Sequence, residues 1–154
     1  MNHMIIAIAL SVIIPLIILT AVPAVIKHYG KDSKKYTPWL VAACALYIVS
    51  WWLPSPLIEG RDTSFTTHFV GGGLFTGCVW MYLKQSFNWR ANWLLQVFSL
   101  FALVSALGVA NELFEIVLYE TGHLSTVADT SWDLLANTLG ALVFYTMTVF
   151  ITKH

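Results

Sequence analysis

The sequence is poor in charge. Lys, Arg, Asp and Glu supply 10% of its 154 residues, against about 25% in an ordinary soluble domain. That scarcity excludes a disordered chain, which would be polar and highly charged. Neither sign of charge is in excess: 8 Lys+Arg face 8 Asp+Glu, and the formal net charge is zero. A nucleic-acid partner is thereby excluded, because binding it needs a basic surplus. Two cysteines are too few for a disulfide scaffold. Cys44 and Cys78 fall midway along different apolar runs and read as buried free thiols.

What the chain has in plenty is apolar side chain, at 58%, with a mean hydropathy of +0.73. A neutral chain this apolar would precipitate as a soluble monomer. Runs of about 20 apolar residues mark membrane spans. Five are expected, at about 4–26, 39–58, 65–83, 93–118 and 132–151. The expected fold is all-α: a polytopic transmembrane bundle of five helices, forming a single domain over residues 1–154. Pro15, Pro23 and Pro54 are compatible with it, since membrane helices tolerate proline where neighbours satisfy the freed carbonyls. The first run has no basic stretch before it, so it reads as a retained helix and not a cleaved signal.

Lys and Arg set the orientation. Lys27, Lys31, Lys34 and Lys35 lie in the first connection, Lys84 and Arg90 in the third, and Lys153 in the tail; Arg61 is alone on the other side. The N-terminus is therefore expected outside and the C-terminus in the cytoplasm. Tryptophans at 39, 51, 52, 89, 93 and 132 fall near the span ends, where aromatic belts form.

The acids divide the opposite way. Asp32 is on the inner side, and Glu59, Asp62, Glu112, Glu115, Glu120, Asp129 and Asp133 are all on the outer side. The zero net charge thus resolves into +6 inside and −6 outside. Topology does not require the acids to cluster, because they contribute little to orientation. Glu112 and Glu115 stand at i,i+3 on the fourth span and share a face with Ser105 and Gly108. Asp129, Asp133 and Asn137 share a face of the fifth. His68 lies about one turn inside the third span, followed by Gly71, Gly72 and Gly73. At 1.5 Å per residue, three helices offer ionisable groups at similar depth. Such residues inside a membrane are functional candidates by default. Gly73 and Gly77 form a small-xxx-small pair that reads as helix contact.

At these residues the chain resembles a known family. The segment Asp133-Leu134-Leu135-Ala136-Asn137-Thr138-Leu139-Gly140-Ala141 resembles the signature of VanZ-like membrane proteins. The Glu112/Glu115 pair followed by Asp129-Thr130-Ser131-Trp132-Asp133 is similar to the YjdF-type bacterial inner-membrane proteins. His68 and its glycine-rich turn fit the His that opens the earlier motif of both. The likeness covers about residues 60 to 145. Ser64 stands where VanZ-like chains tend to carry Asp, Glu115 where they often carry Gln, and an Arg of their last outer loop is missing. The resemblance implies a small multi-pass protein of the bacterial inner membrane and cell envelope, loosely linked to tolerance of glycopeptide-type antibiotics.

Three readings of the cluster follow. In the first, His68, Glu112, Glu115 and Asp133 ligate a divalent metal, with Asp62, Asp129, Asn137 and His123 in support. Carboxylates with one imidazole suit Mg²⁺, Mn²⁺, Zn²⁺ or iron. The metal would polarise a lipid phosphate or ester, and Glu112, Glu115 or Asp133 would serve as general base. The protein would then be a metal-dependent hydrolase or transferase acting on a membrane lipid or a lipid-linked envelope precursor. In the second, the cluster passes protons or cations, or eases lipid headgroups across the bilayer; the inner halves of the spans offer few ionisable groups to continue such a path. In the third, the cluster is non-catalytic glue between helices, at roughly 0.6 kcal/mol per hydrogen bond.

Overall fold

A computed structural model describes residues 3–58, 61–118 and 127–152, with side chains over 9–57, 62–114 and 130–149. The chain is all-helical apart from one very short β-ladder, and it has five helical rods. Helix α1 spans His3–His28. Gly30 ends it in the left-handed conformation, with φ 70°. The Gly30 and Lys31 amides donate to the Lys27 and Ile26 carbonyls, which is a Schellman cap. A 3₁₀ turn at Lys34–Tyr36 leads into α2, Thr37–Ser50, with a proline in its first turn.

The second rod is shorter than the sequence suggests. The apolar run continues to Ile58, but α2 stops at Ser50. At 14 residues its axis is about 21 Å long. Pro54 and Pro56 explain the stop: each lacks an amide hydrogen and biases the residue before it away from helix. The chain turns instead and makes a two-residue antiparallel ladder, Leu57–Ile58 against Arg61–Asp62.

The third rod is composite. Helix α3, Phe65–His68, passes into one π-helical stretch, Phe69–Leu74, and then into α4, Phe75–Ser86. A π turn is a rare register insertion that is often found at functional sites. Here it coincides with three successive glycines, the first against Ser50 and the next two against Asn137. A Cβ on Gly71 would fall 2.2 Å from Ser50 Oγ, and one on Gly72 1.7 Å from Asn137 Oδ1. On Gly73 it would meet the Asn137 carbonyl oxygen at 2.5 Å and Gly140 Cα at 2.6 Å. Gly77 packs on the Phe144 ring, as its spacing from Gly73 suggests. Helices α5, Trp93–Leu118, and α6, Val127–Thr152, complete the bundle. Helix α6 begins five residues before the expected span at Trp132, so Asp129 and Asp133 are both helical.

The core is an aromatic and aliphatic block that includes Leu40, Phe75, Trp80, Tyr82, Leu100, Val104, Phe144 and Tyr145. Cys44 and Cys78 are buried and free. Ser50, Thr76, Glu112, Asp133 and Asn137 are also buried, while Leu16, Phe98 and Leu113 are each more than half exposed. Among the described residues two helices, within Ala9–His28 and Trp93–Phe114, are long and apolar enough to cross a membrane.

The glycine contacts generate a test. Gly140→Ala places a Cβ 2.2 Å from the Phe69 carbonyl oxygen, a backbone atom that cannot swing away. Gly108→Ala meets the Leu134 and Asn137 side-chain ends at 3.0 and 3.2 Å. Overpacking costs about 1–3 kcal/mol. Thermal unfolding should show Gly140→Ala at or above the top of that range and Gly108→Ala at or below its bottom.

Candidate metal site

Three rods converge at the His68 end of the bundle. His68 closes α3, directly before the π turn. Glu112 lies on the buried stripe Leu100, Val104, Gly108, Glu112 of α5. Asp133 and Asn137 lie on the buried stripe of α6 that continues through Gly140 and Ala141. Spacings of three and four residues bring each set onto one helix face.

One ligand atom from each of His68, Glu112 and Asp133 lies within 4.8 Å of the other two. His68 Nε2 is 3.4 Å from Asp133 Oδ1. Glu112 and Asp133 are 6% and 3% exposed, and the His68 side chain is 11% exposed. Two further side chains hold the carboxylates. Ser64 Oγ is 2.6 Å from Asp133 Oδ1 and Thr130 Oγ1 donates to Glu112 Oε2 at 2.9 Å. Glu112 Oε1 and Asn137 Oδ1 are buried with no hydrogen-bond partner among the described residues.

In the sequence, Ser64 stands out only as a departure from a family pattern and Thr130 only within a motif, and neither is given a role at the site there. Thr130 could have been found by the same i,i+3 rule that pairs Glu112 with Glu115, since it precedes Asp133 by three. Ser64 could not, because its position depends on the loop. It adopts a left-handed backbone, φ 52°, which is rare for a residue with a side chain. The Asp62 carboxylate accepts the Ser64 amide at 2.9 Å and fixes that turn. Asp62 therefore lies beside the three-residue group and touches it through Ser64. Asn137 lies one turn deeper, packed between Gly72 and Gly108. The side chains of Glu115 and Asp129 and the whole of His123 lie outside the described residues, as does the α5–α6 connection, residues 119–126.

The donor set is two carboxylates and one imidazole. Metal–ligand bonds to such groups are about 2.0–2.2 Å, so ligands on opposite sides of one ion stand about 4.2 Å apart. The observed spread needs only a small side-chain adjustment to reach that. Like charges at this range repel unless a cation or a proton lies between them. The unpartnered Glu112 Oε1 is a buried acceptor whose desolvation nothing described offsets. An ion between the three ligand atoms would supply both needs. Two cavities in the molecule lie at the other end of the bundle, and neither includes His68, Glu112 or Asp133.

A hydrogen bond to a charged group is worth about 1.5–3 kcal/mol. Ser64→Ala should therefore lower the unfolding free energy by about that amount, and Thr130→Val should do the same. No loss in either variant would mean that these hydroxyls do not hold the carboxylates. Comparison with known proteins finds no matching family model, no matching curated protein and no matching solved structure.

Proposed function

We propose that this chain is a multi-pass protein of the bacterial inner membrane, of VanZ-like type, whose His68, Glu112 and Asp133 bind one divalent cation. We further propose that the site performs a metal-assisted hydrolysis or transfer on a membrane lipid or lipid-linked envelope precursor. The observation that carries the reading is the convergence of three ligand atoms within 4.8 Å around a Glu112 oxygen with no partner among the described residues.

The distribution of surface supports the membrane part. Soluble monomers rarely expose contiguous apolar patches above a few hundred Å². Here Phe98, Phe101, Leu94, Leu95, Leu113 and Phe114 are all exposed along α5, while the buried residues include two carboxylates. Apart from Arg61, the basic residues of the connections lie toward the other end. His68 and Lys84 bound the same rod, and sixteen residues of helix span about 24 Å. The acid end is the outer one by the positive-inside rule.

When bound, the ion would polarise a phosphoryl or ester oxygen of the substrate. The chain's own residues have separate tasks. Ser64 and Thr130 orient Asp133 and Glu112. The Glu112 oxygen that lacks a partner among the described residues would hold the ion. His68 presents an imidazole nitrogen to the same space. A second reading, polar glue, is favoured by the Ser64 and Thr130 hydrogen bonds. Conduction is less well supported, because the apolar core block separates the cluster from the basic end.

Elemental analysis of protein purified without chelator tests the site. About one Mg²⁺, Mn²⁺, Zn²⁺ or iron per chain is expected, with affinity reduced more than about tenfold in Asp133→Asn and in Glu112→Gln. No bound ion among the four sinks the metal reading, and a change confined to stability in Glu112→Gln leaves the glue reading. For the membrane part, carbonate washing should leave the chain in the membrane. A cysteine introduced at Asp62 should react with an impermeant maleimide from outside, and one at Asn88 should not.

A further inference from the structure

The end of the bundle opposite the carboxylates carries two cavities that share a wall. One, of about 480 Å³, is lined by Lys35, Tyr36, Lys84, Gln85, Asn88, Trp89 and Arg90. The other, of about 410 Å³, is lined by Trp80, Leu83, Lys84, Phe87, Trp89, Ser99 and Leu103. Lys84 and Trp89 line both. Three cations thus face the first cavity and apolar side chains dominate the second, and no acid lines either among the described residues. Both cavities are open to the surface.

The positive-inside rule accounts for cations at this end, but not for their arrangement. Several contacts hold the arrangement in place. Asn88, at φ 49°, sits in a Schellman cap: its amide donates to the Gln85 carbonyl, and the Trp89 amide donates to that of Lys84. This fixes Trp89 and Arg90 beyond the end of α4. Buried Ser33 is tied to Tyr82 of α4 by a short hydroxyl–hydroxyl contact, which docks the turn bearing Lys35. Trp39 Nε1 donates to Gln85 Oε1 at 3.1 Å. Lys84 Nζ donates to Gln96 Oε1 at 2.7 Å and lies 5.0 Å from the Trp80 ring centre. An ammonium has three donors, and these partners are neutral, so its charge is not cancelled by them.

We propose that this end binds one anionic phospholipid, its phosphate between Lys35, Lys84 and Arg90 and an acyl chain along the Trp80–Leu83–Phe87–Leu103 groove. The proposal rests on the membrane reading above and is independent of the metal site. A free phosphate would use the basic cavity alone. An uncharged lipid would use the apolar groove alone. A molecule with an anionic head and an apolar tail fills both, and Lys84 and Trp89 stand at the junction of head and tail.

The test is lipid binding by the purified full chain in detergent, followed by native mass spectrometry. The probes are dioleoylphosphatidylglycerol, dioleoylphosphatidylcholine and glycerol 3-phosphate. Lys35 and Arg90 are exposed, so Lys35→Gln/Arg90→Gln should keep the fold, which unchanged melting and unchanged metal content would verify. Each basic residue near an anionic surface contributes about fivefold in affinity, corresponding to about 1 kcal/mol. The double variant should therefore bind phosphatidylglycerol about 25-fold more weakly and phosphatidylcholine unchanged. Leu103→Trp, which fills the groove, should weaken both lipids alike. Equal affinity of the native chain for the two lipids overturns the proposal, as does an unchanged double variant. Glycerol 3-phosphate binding as tightly as the lipid, with Leu103→Trp silent, assigns the cavity to a soluble phosphate and also overturns it. A chain that carbonate strips from the membrane overturns the membrane reading instead.

Discussion

The close approach of the π-helical segment to α6 is the constraint on which the site depends. At Gly73 and Gly140 the two backbones touch, with no room for a Cβ on either side. Helix axes normally stand 8–10 Å apart because side chains separate them. Removing those side chains lets His68, one turn above Gly72, reach Asp133, one turn above Asn137. The 3.4 Å separation of His68 and Asp133 is therefore set by glycines that carry no chemistry themselves. Around the π turn Gly71 faces Ser50, while Gly72 and Gly73 face the side chain and the carbonyl of Asn137. Where helices pack without a hydrophobic driving force between them, small residues of this kind supply the contact.

The polar groups at this contact would be unstable without further partners. Breaking a buried pair by removing one partner costs about 3–5 kcal/mol, and the same reasoning applies to a carboxylate never fully paired. Asp133 is served by Ser64 and stands beside His68, while among the described residues Glu112 is served by Thr130 on one oxygen and has no partner for the other. Natural structures leave few buried acceptors unpaired, and each exception asks for an explanation in an ion, a water or a function. Three independent helices contribute to this exception. Accidental convergence of three ionisable side chains in an apolar interior would be selected against by the cost of each.

The parts of this arrangement legible in the sequence were those governed by helical spacing. Glu112 falls on the buried stripe with Gly108, and Asp133, Asn137 and Gly140 fall on another, as i,i+3 and i,i+4 rules require. His68 was legible because a glycine run follows it. The end of α2 was misjudged because hydropathy ran on through Trp51–Ile58 while Pro54 and Pro56 stopped the helix. Ser64 was illegible because a left-handed residue in a loop has no periodicity, and its contact with Asp133 spans 69 positions. The basic cavities were invisible for a similar reason. Lys35 and Arg90 belong to connections, whose three-dimensional course depends on caps at Gly30 and Asn88.

The two ends of the bundle are complementary in a way that net charge conceals. At the acid end, Glu112 and Asp133 are buried within the helices. At the basic end, Lys35 and Arg90 are exposed on turns and only Lys84 reaches inward. Burial raises the energy of the first set and leaves the second cheap to maintain. Solvated lysines have no need of a scaffold, whereas the basic cavity joined to an apolar groove has one. The Schellman cap at Asn88 and the Ser33–Tyr82 contact are that scaffold. Between the ends stands an apolar block with Tyr82 and Leu40 fully enclosed, so whatever binds at one end cannot pass directly to the other. The chemistry proposed at the acid end and the lipid contact proposed at the basic end would then be separate functions of one bundle, joined through the rod that runs from His68 to Lys84.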